Sequence, residues 1–563
     1  DSPSFFGRLL DDGRGGVFRV LADGGELTGK MQYVRNTNVV RTLFSSGGCQ
    51  WELFDFAPRI PEGLGVRVPV QVVRLLRPLQ GEPRLSIDFD PRPDYARAEV
   101  HLEEAAGGLE VRWPGGEVHL ETNLPLSYLG NRQPFVLNEP LYFVLSWGKP
   151  EAPASLANVL RDLEITIAGW RAWAKTCSLP NFAAAEVLRS ALCLKLHTYH
   201  DTGAIIAAAT TSIPEALGTE RTWDYRHCWL RDAAFVVEAL RRLSHLSEGE
   251  QFIRFLRNVA ESGPLQPVYG IDGNRTLPEE ILGHLAGFKG CGPVRIGNAA
   301  AEQRQNDLMG EMLLCLETLL YDHRLPDPDM ESFFPLIERL VEEAIRAAPL
   351  LDTGIWEFRS YPRAYTFSRA MCWVAVHRGA AIARRYGRED LAARWDAIAA
   401  NEQRIVLERG YNPSLGFFTQ ALDGQFPDAS NLLLPTLGIL DAKDPRFLST
   451  LSAYEKLLAT NGLMLRYKNP DDFGETTSAF TICSFWWAEA LALAGRLDDA
   501  VVLFNRLLEY ANPVGLFSED VDPATGMLLG NFPQAYTHVG LIHAAMTIEH
   551  FLEARDGRVR AWT

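Results

Sequence analysis

The chain has 563 residues, of which 47% are hydrophobic and 22% charged, with a formal net charge of -16. That length exceeds one compact core and implies two to four domains, or one large repetitive one. Acidic charge spread along a chain with no basic face excludes nucleic acid and anionic membranes as partners.

Residues 1–150 read as β structure. The short alternating runs VRVPVQVVRLL, LSIDFD, AEVHL, LEVRW and LYFVLSW are separated by Gly, Pro and Asp. Such spacing predicts an antiparallel β-sandwich. GKPEAPAS reads as a linker, and SLANVLRDLEITIAGWRAWAKT as one long helix leaving it, so residues 151–178 are assigned as a linker helix. From 179 to 563 apolar residues recur at helical period in runs such as EVLRSALCLKLHTYH, AAFVVEALRRLSHL, ESFFPLIERLVEEAIRAA and HVGLIHAAMTIEHFLEA. About a dozen helices are expected. Long loops rich in Gly, Pro and aromatics separate alternate helices, and loops of that length usually carry function. A helical toroid, with helix pairs around an axis and active-site loops at one end, fits this pattern.

The eight cysteines form no CxxC pair and no zinc pattern. This favours a reducing compartment, and a cytoplasmic location is expected. No apolar run reaches membrane-spanning length and no signal peptide is seen. The chain begins at Asp1 without a methionine, so an N-terminal piece is expected to be missing. GGELTGKM, Gly24 to Met31, nearly matches a phosphate-binding loop but lacks the final Ser or Thr and the following helix. The histidines form no metal-ligand cluster, and a GxSxG nucleophile elbow is absent.

What remains are loops that set carboxylates beside aromatics. WDYRHCWLRDAAF contains Tyr225, Trp229, Arg231 and Asp232; DTGIWEFRSYPRAYTFSRAMCW contains Trp356 and Glu357; GLFSEDVDPATGMLLGNFPQAYTHVG contains Glu519. Each precedes a helical run, and a toroid would bring them to one face. Glycoside hydrolysis needs one carboxylic acid to protonate the departing oxygen and a second carboxylate to attack the sugar or activate water. Apolar neighbours such as Trp356 raise an acid's pKa by desolvation. Arg and Asp offer directional hydrogen bonds to hydroxyls, and Trp and Tyr offer surface for the sugar's C–H faces. Taken singly, each residue has a plainer alternative. Asp232 can be a helix N-cap with Arg231 as its ion-pair partner, the aromatics can be core, and Glu357 and Glu519 can be exposed loop carboxylates.

The longer stretches TGAIIAAATTSIPEALGTERTWDYRHCWLRDAAF, VYGIDGNRTLPEEILGHLAGFKGCGPVRIGNAAAEQRQND, DTGIWEFRSYPRAYTFSRAMCWVA and SEDVDPATGMLLGNFPQAYTHVGLIHAA resemble those of the glucoamylase and trehalase family, glycoside hydrolase family 15, in its bacterial and archaeal form. DSPSFFGRLLD at the start is similar to that family's N-terminal domain. The resemblance implies an N-terminal β-sandwich, a linker helix, an (α/α)6 barrel and removal of glucose from non-reducing ends with inversion. By position it implies Glu357 as general acid and Glu519 as the general base that activates water. It implies Arg231 and Asp232 as the grip on the non-reducing glucose, with Tyr225, Trp229 and Trp356 lining the pocket. Asp307 in QRQND lies near a substrate-contact segment. Capping by Asp232 is compatible with this role, one oxygen holding the helix start. GETTSAFTICSFWW and SYPRAYTFSR depart from the commoner family pattern, which leaves the leaving group undefined.

The main expectation is therefore an exo-acting inverting α-glucoside hydrolase that releases β-glucose from short α-1,4- or α-1,6-linked saccharides. Trehalase is the alternative within the class. A disaccharide phosphorylase and an inactive sugar-binding protein are the rivals outside it. The expected partner is a small saccharide, with no cofactor or metal required. A homo-oligomeric state is left open. Inversion demands a carboxyl separation of roughly 6.5–9.5 Å.

Overall fold

The computed structural model describes residues 2–23, 27–63, 65–105, 107–130, 132–150, 152–325 and 330–557. Gly24, Gly25 and Glu26 of the discounted phosphate loop lie outside the described residues, as does Glu151 of the expected linker; Thr28–Tyr33 is strand. The chain divides into two compact units, Asp1–Cys177 with Gly283–Gly290, and Ser178–Leu282 with Cys291–Thr563.

In the first unit the described strands are β1 Val17–Ala22, β2 Thr28–Tyr33, β3 Val40–Ser46, β4 Cys49–Phe56, β5 Gln71–Gln80, β6 Arg84–Asp90, β7 His101–Ala105, β8 Gly108–Trp113, β9 Gly116–Thr122, β10 Phe135–Val136 and β11 Leu141–Trp147, apart from a short hairpin. One antiparallel sheet runs β2-β3-β4-β5-β11-β9-β8-β7 and the other β1-β6-β10. Alternation explains the layering, because side chains two apart share a face. Trp51 and Leu53 of β4, Leu76 of β5, Leu120 of β9 and Phe143 of β11 enter one core with Leu85 and Ile87 of β6 and Phe135 of β10. The result is a β-sandwich of antiparallel sheets. Helix α1, Leu156–Lys175, is capped by Ser155, whose hydroxyl accepts the Asn158 amide at 3.2 Å. It buries Val159, Leu163, Thr166, Trp170 and Ala174, a stripe at helical spacing. The segment Gly283–Gly290 belongs to this unit: Asp11 accepts the Ala286 amide at 3.0 Å, and His284 bonds the Tyr95 carbonyl at 2.8 Å.

The second unit is helical. Its described helices are α2 Ala184–His197, α3 Leu230–Arg242, α4 Ser247–Glu261, α5 Leu308–Leu320, α6 Met330–Ala347, α7 Thr366–Arg385, α8 Glu389–Ile405, α9 Leu434–Leu437, α10 Pro445–Leu457, α11 Thr481–Leu493, α12 Leu497–Leu508 and α13 Ala535–Arg555. Packing runs α3 to α5 to α7, then through the turn Ala429–Leu433 and α9 to α11, on to α13 and back to α3. This closes an inner ring, with α2, α4, α6, α8, α10 and α12 packed outside it, an (α/α)6 barrel. The sequence explains which helices go where. α3, α5 and α11 are buried on almost every side, whereas α4 buries one stripe that includes Phe252, Phe255, Leu256, Val259 and Ala260. Close ring packing needs small residues: a Cβ on Gly310 of α5 would stand 2.1 Å from the Met371 carbonyl oxygen of α7. Among the described residues no helix is long and apolar enough to cross a membrane.

Candidate active site

The loops that enter the inner helices build one recess. Cys228–Trp229 pairs with Val268–Tyr269 and leads directly into α3. Ala479–Phe480 pairs with Asp520–Val521 and leads into α11, and Thr481 donates its amide to the Glu519 carbonyl at 2.8 Å. These short ladders fix the loop ends at the starts of α3 and α11. The recess has an empty volume of about 790 Å³, counting the open solvent at its mouth. Of the residues singled out from sequence, Tyr225, Trp229, Arg231, Asp232, Trp356 and Glu357 line it.

Glu357 sits in a tight turn at φ +63, a backbone region that non-glycine residues occupy at a cost and that clusters at functional sites. Three donors converge on its Oε1: Trp229 Nε1 at 2.8 Å, Gln305 Nε2 at 3.1 Å and an Arg231 guanidinium nitrogen at 3.4 Å. Its side chain is 25% exposed. Trp356 beside it donates Nε1 to both oxygens of buried Asp428, at 2.9 and 3.0 Å, and packs against Phe480 and Trp486. That anchors the loop and turns the indole face to the recess.

Glu519 is fully buried and stands behind the wall of the recess. Oε2 accepts the Asn531 amide at 2.9 Å, and the Tyr225 hydroxyl donates to the same carboxyl. Burial pushes its pKa well up, reinforced by the adjoining carboxyls of Glu215 and Asp520. Burial likewise raises Asp520 to about 7, against the pull of Arg466. Glu215 ion-pairs with Arg466 and accepts Trp223 Nε1 at 2.9 Å.

Two placements differ from the sequence-based expectations. Asp232 does not cap α3. The cap position is Trp229, no side chain caps there, and Asp232 lies in the first helical turn. A carboxylate there is favoured by the helix dipole without a capping bond. Burial raises it to about 6, although Arg231 stands 3.5 Å away and opposes the shift. Asp307 does not line the recess. It is fully buried behind Arg231, 3.7 Å from that guanidinium.

The structure adds residues that sequence reasoning passed over. Glu215, in SIPEALG, and Arg466, in LMLRYKN, line the recess. Arg221 binds Asp471 in a two-point fork, at 2.7 and 2.6 Å. Asp472 accepts the amides of Arg359 and Ser360, at 2.6 and 2.8 Å, and so ties the loop of Phe473 to the loop of Glu357. Arg359 lies over the Trp223 ring at 4.6 Å. Charged residues between aromatics were the available signal, but nothing in the linear order paired these loops.

Comparison with known proteins follows this geometry. Residues 181–546 match Glycosyl hydrolases family 15, and residues 1–121 match the trehalase-like N-terminal family. A trehalase from Mycolicibacterium smegmatis is 34% identical over 594 residues, covering 99% of this chain and 88% of that protein. A trehalase from Thermoplasma volcanium is 31% identical over 575 residues, covering 100% of this chain and 90% of that protein. Among solved structures, a bacterial glucoamylase complexed with acarbose superposes with a TM-score of 0.70 at 16% identity, over 95% of this chain and 88% of the other. At that identity the likeness concerns the fold.

Proposed function

The chain belongs to glycosyl hydrolases family 15 and is a glycoside hydrolase; on that premise we propose that its substrate is α,α-trehalose, cleaved with inversion. The observation that carries this reading is similarity over nearly the whole chain to proteins named trehalase from a bacterium and an archaeon. The match of residues 1–121 to the trehalase-like N-terminal family supports it further. Trehalose therefore takes precedence over malto- and isomalto-oligosaccharides.

In this mechanism one glucose occupies the inner recess. Arg231 and Asp232 hold its hydroxyls, and Tyr225, Trp229 and Trp356 cover its apolar faces. All three donors to Glu357 meet Oε1, which leaves Oε2 to protonate the oxygen between the two sugars. Glu519 takes the proton from a water that attacks the anomeric carbon from the opposite face. The base must be ionised when water attacks. One proton held between Glu519 and Asp520 relieves their mutual repulsion. Glu519 receives the Asn531 amide and the Tyr225 hydroxyl, donors that favour its anion. Arg221, Arg359, Asp471 and Phe473 form the outer wall, where the second glucose would leave.

The test is a panel of trehalose, maltose, isomaltose and longer oligosaccharides, with the product anomers followed by NMR. Trehalose should have the highest kcat/KM without added phosphate. Inversion should release one α- and one β-glucose per turnover. Initial release of α-glucose alone would sink inversion, and preference for maltose or isomaltose would restore the glucoamylase-like reading. Glu357→Gln and Glu519→Gln should each lower kcat by about 10²- to 10⁴-fold.

A further inference from the structure

The cluster behind Arg231 holds more acid than one cation balances. Arg231 stands 3.5 Å from Asp232, 3.7 Å from Asp307 and 3.4 Å from Glu357. Glu311 follows Asp307 by one helical turn at the start of α5, and both are almost completely buried. Tyr536 of α13 faces the same cluster. Four carboxylates around a single guanidinium in a buried space cannot all be ionised. Asp307 and Glu311 act on each other across that single turn. No hydrogen-bond donor among the described residues reaches any of their four oxygens. Two buried carboxyls so placed avoid mutual repulsion only when one of them carries a proton. Neither residue lines the recess, and the mechanism above uses neither.

We propose that Asp307 and Glu311 hold one proton between them as an acid–carboxylate pair, and that this pair positions Arg231 for the sugar. The inference rests on the reading that Arg231 grips the non-reducing glucose. A singly charged pair anchors the guanidinium from behind. A doubly charged pair would draw it away from the recess. Asp307 and Glu311 are thus positioning residues that act through Arg231, which explains why Asp307 lies in the site's sequence neighbourhood yet not on its wall.

The test uses the full chain with Glu311→Gln, Glu311→Ala and Arg231→Lys. Glutamine reproduces the shape of the protonated acid, so Glu311→Gln should keep KM for trehalose within about twofold. Glu311→Ala leaves Asp307 an unshared carboxylate behind Arg231 and should raise KM about tenfold, with a smaller change in kcat. The infrared difference between the unmutated protein and Glu311→Gln at pH 7 should contain a carboxylic-acid C=O stretch lost on substitution. Absence of that lost band, or a KM in Glu311→Gln as high as in Glu311→Ala, overturns the proposal. The infrared and glutamine arms decide even where Glu311→Ala does not fold. An unchanged KM in Arg231→Lys overturns the sugar-grip reading itself, and the infrared band reports the proton independently of it.

Discussion

Trp229 donates its indole N–H to Oε1 of Glu357 at 2.8 Å, across 128 residues of sequence. The bond ties the entrance of α3 to the strained turn that carries the proposed acid, and it selects which carboxyl oxygen faces the recess. A hydrogen bond to a charged group contributes about 1.5–3 kcal/mol. Trp229→Phe keeps most of the apolar surface and removes the donor. Its kcat on trehalose should fall roughly 10- to 100-fold with a smaller change in KM, measured by steady-state kinetics. An unchanged kcat would show that Trp229 serves only as core.

Asp520 adjoins Glu519 and helps raise it. A raised general base must lose its proton before it works, so activity is present above its pKa and lost as pH falls through it. The acidic limb of kcat/KM should therefore lie well above the ordinary glutamate range. Asp520→Asn removes one like charge and should move that limb to lower pH. A limb that stays in place would mean that burial alone sets it.

Gly530 has φ +68, and a Cβ there would stand 2.6 Å from both Cβ and Oε2 of Glu519. Alanine would strain the backbone and displace the carboxylate together. Gly530→Ala should cost about 1–3 kcal/mol in unfolding free energy. Its kcat should drop about 100-fold or more, because a shift of about 1 Å in a catalytic group has that effect. A folded variant of normal activity would rule out Glu519 as the base.

Asp352 accepts the Asn306 and Gly354 amides, at 3.0 and 3.2 Å, and the Ser368 hydroxyl at 2.8 Å, beneath the Glu357 turn. Burial raises it from 3.8 to about 7. Between those values the native protein binds a proton that the unfolded chain has lost. Its contribution to stability is therefore complete below about 4 and declines as pH rises to about 7, with a limiting slope of about 1.4 kcal/mol per pH unit. Asp232 at about 6 acts in the same direction. Denaturant unfolding at several pH values should show stability falling over this window, and Asp352→Asn should flatten the fall. A rise in stability from pH 4 to 7 would contradict the shift.

Much of the fold was legible because it depends on local pattern. LSIDFD alternates, and Leu85 and Ile87 face the sandwich core. AAFVVEALRRL repeats apolar residues at helical period, and it forms an inner helix of the barrel. Tyr225, Trp229, Arg231 and Asp232 were found together because one loop and one helical turn carry them all to the recess. The cap assigned to Asp232 was missed because sequence marks a helix start only to within a few residues.

The linear sequence by itself determined which segments alternate and which repeat at helical period, and it placed Glu357 and Glu519 beside aromatics in loops that open helices. Only the tertiary structure decided what each carboxylate experiences. It buried Glu519 against Glu215 and Asp520, left an edge of Glu357 at the recess, and set Asp307 behind Arg231. The physical reason is that hydrophobic periodicity is a property of neighbours in sequence. Desolvation and charge–charge coupling depend on neighbours in space, and here those come from loops up to about three hundred residues apart.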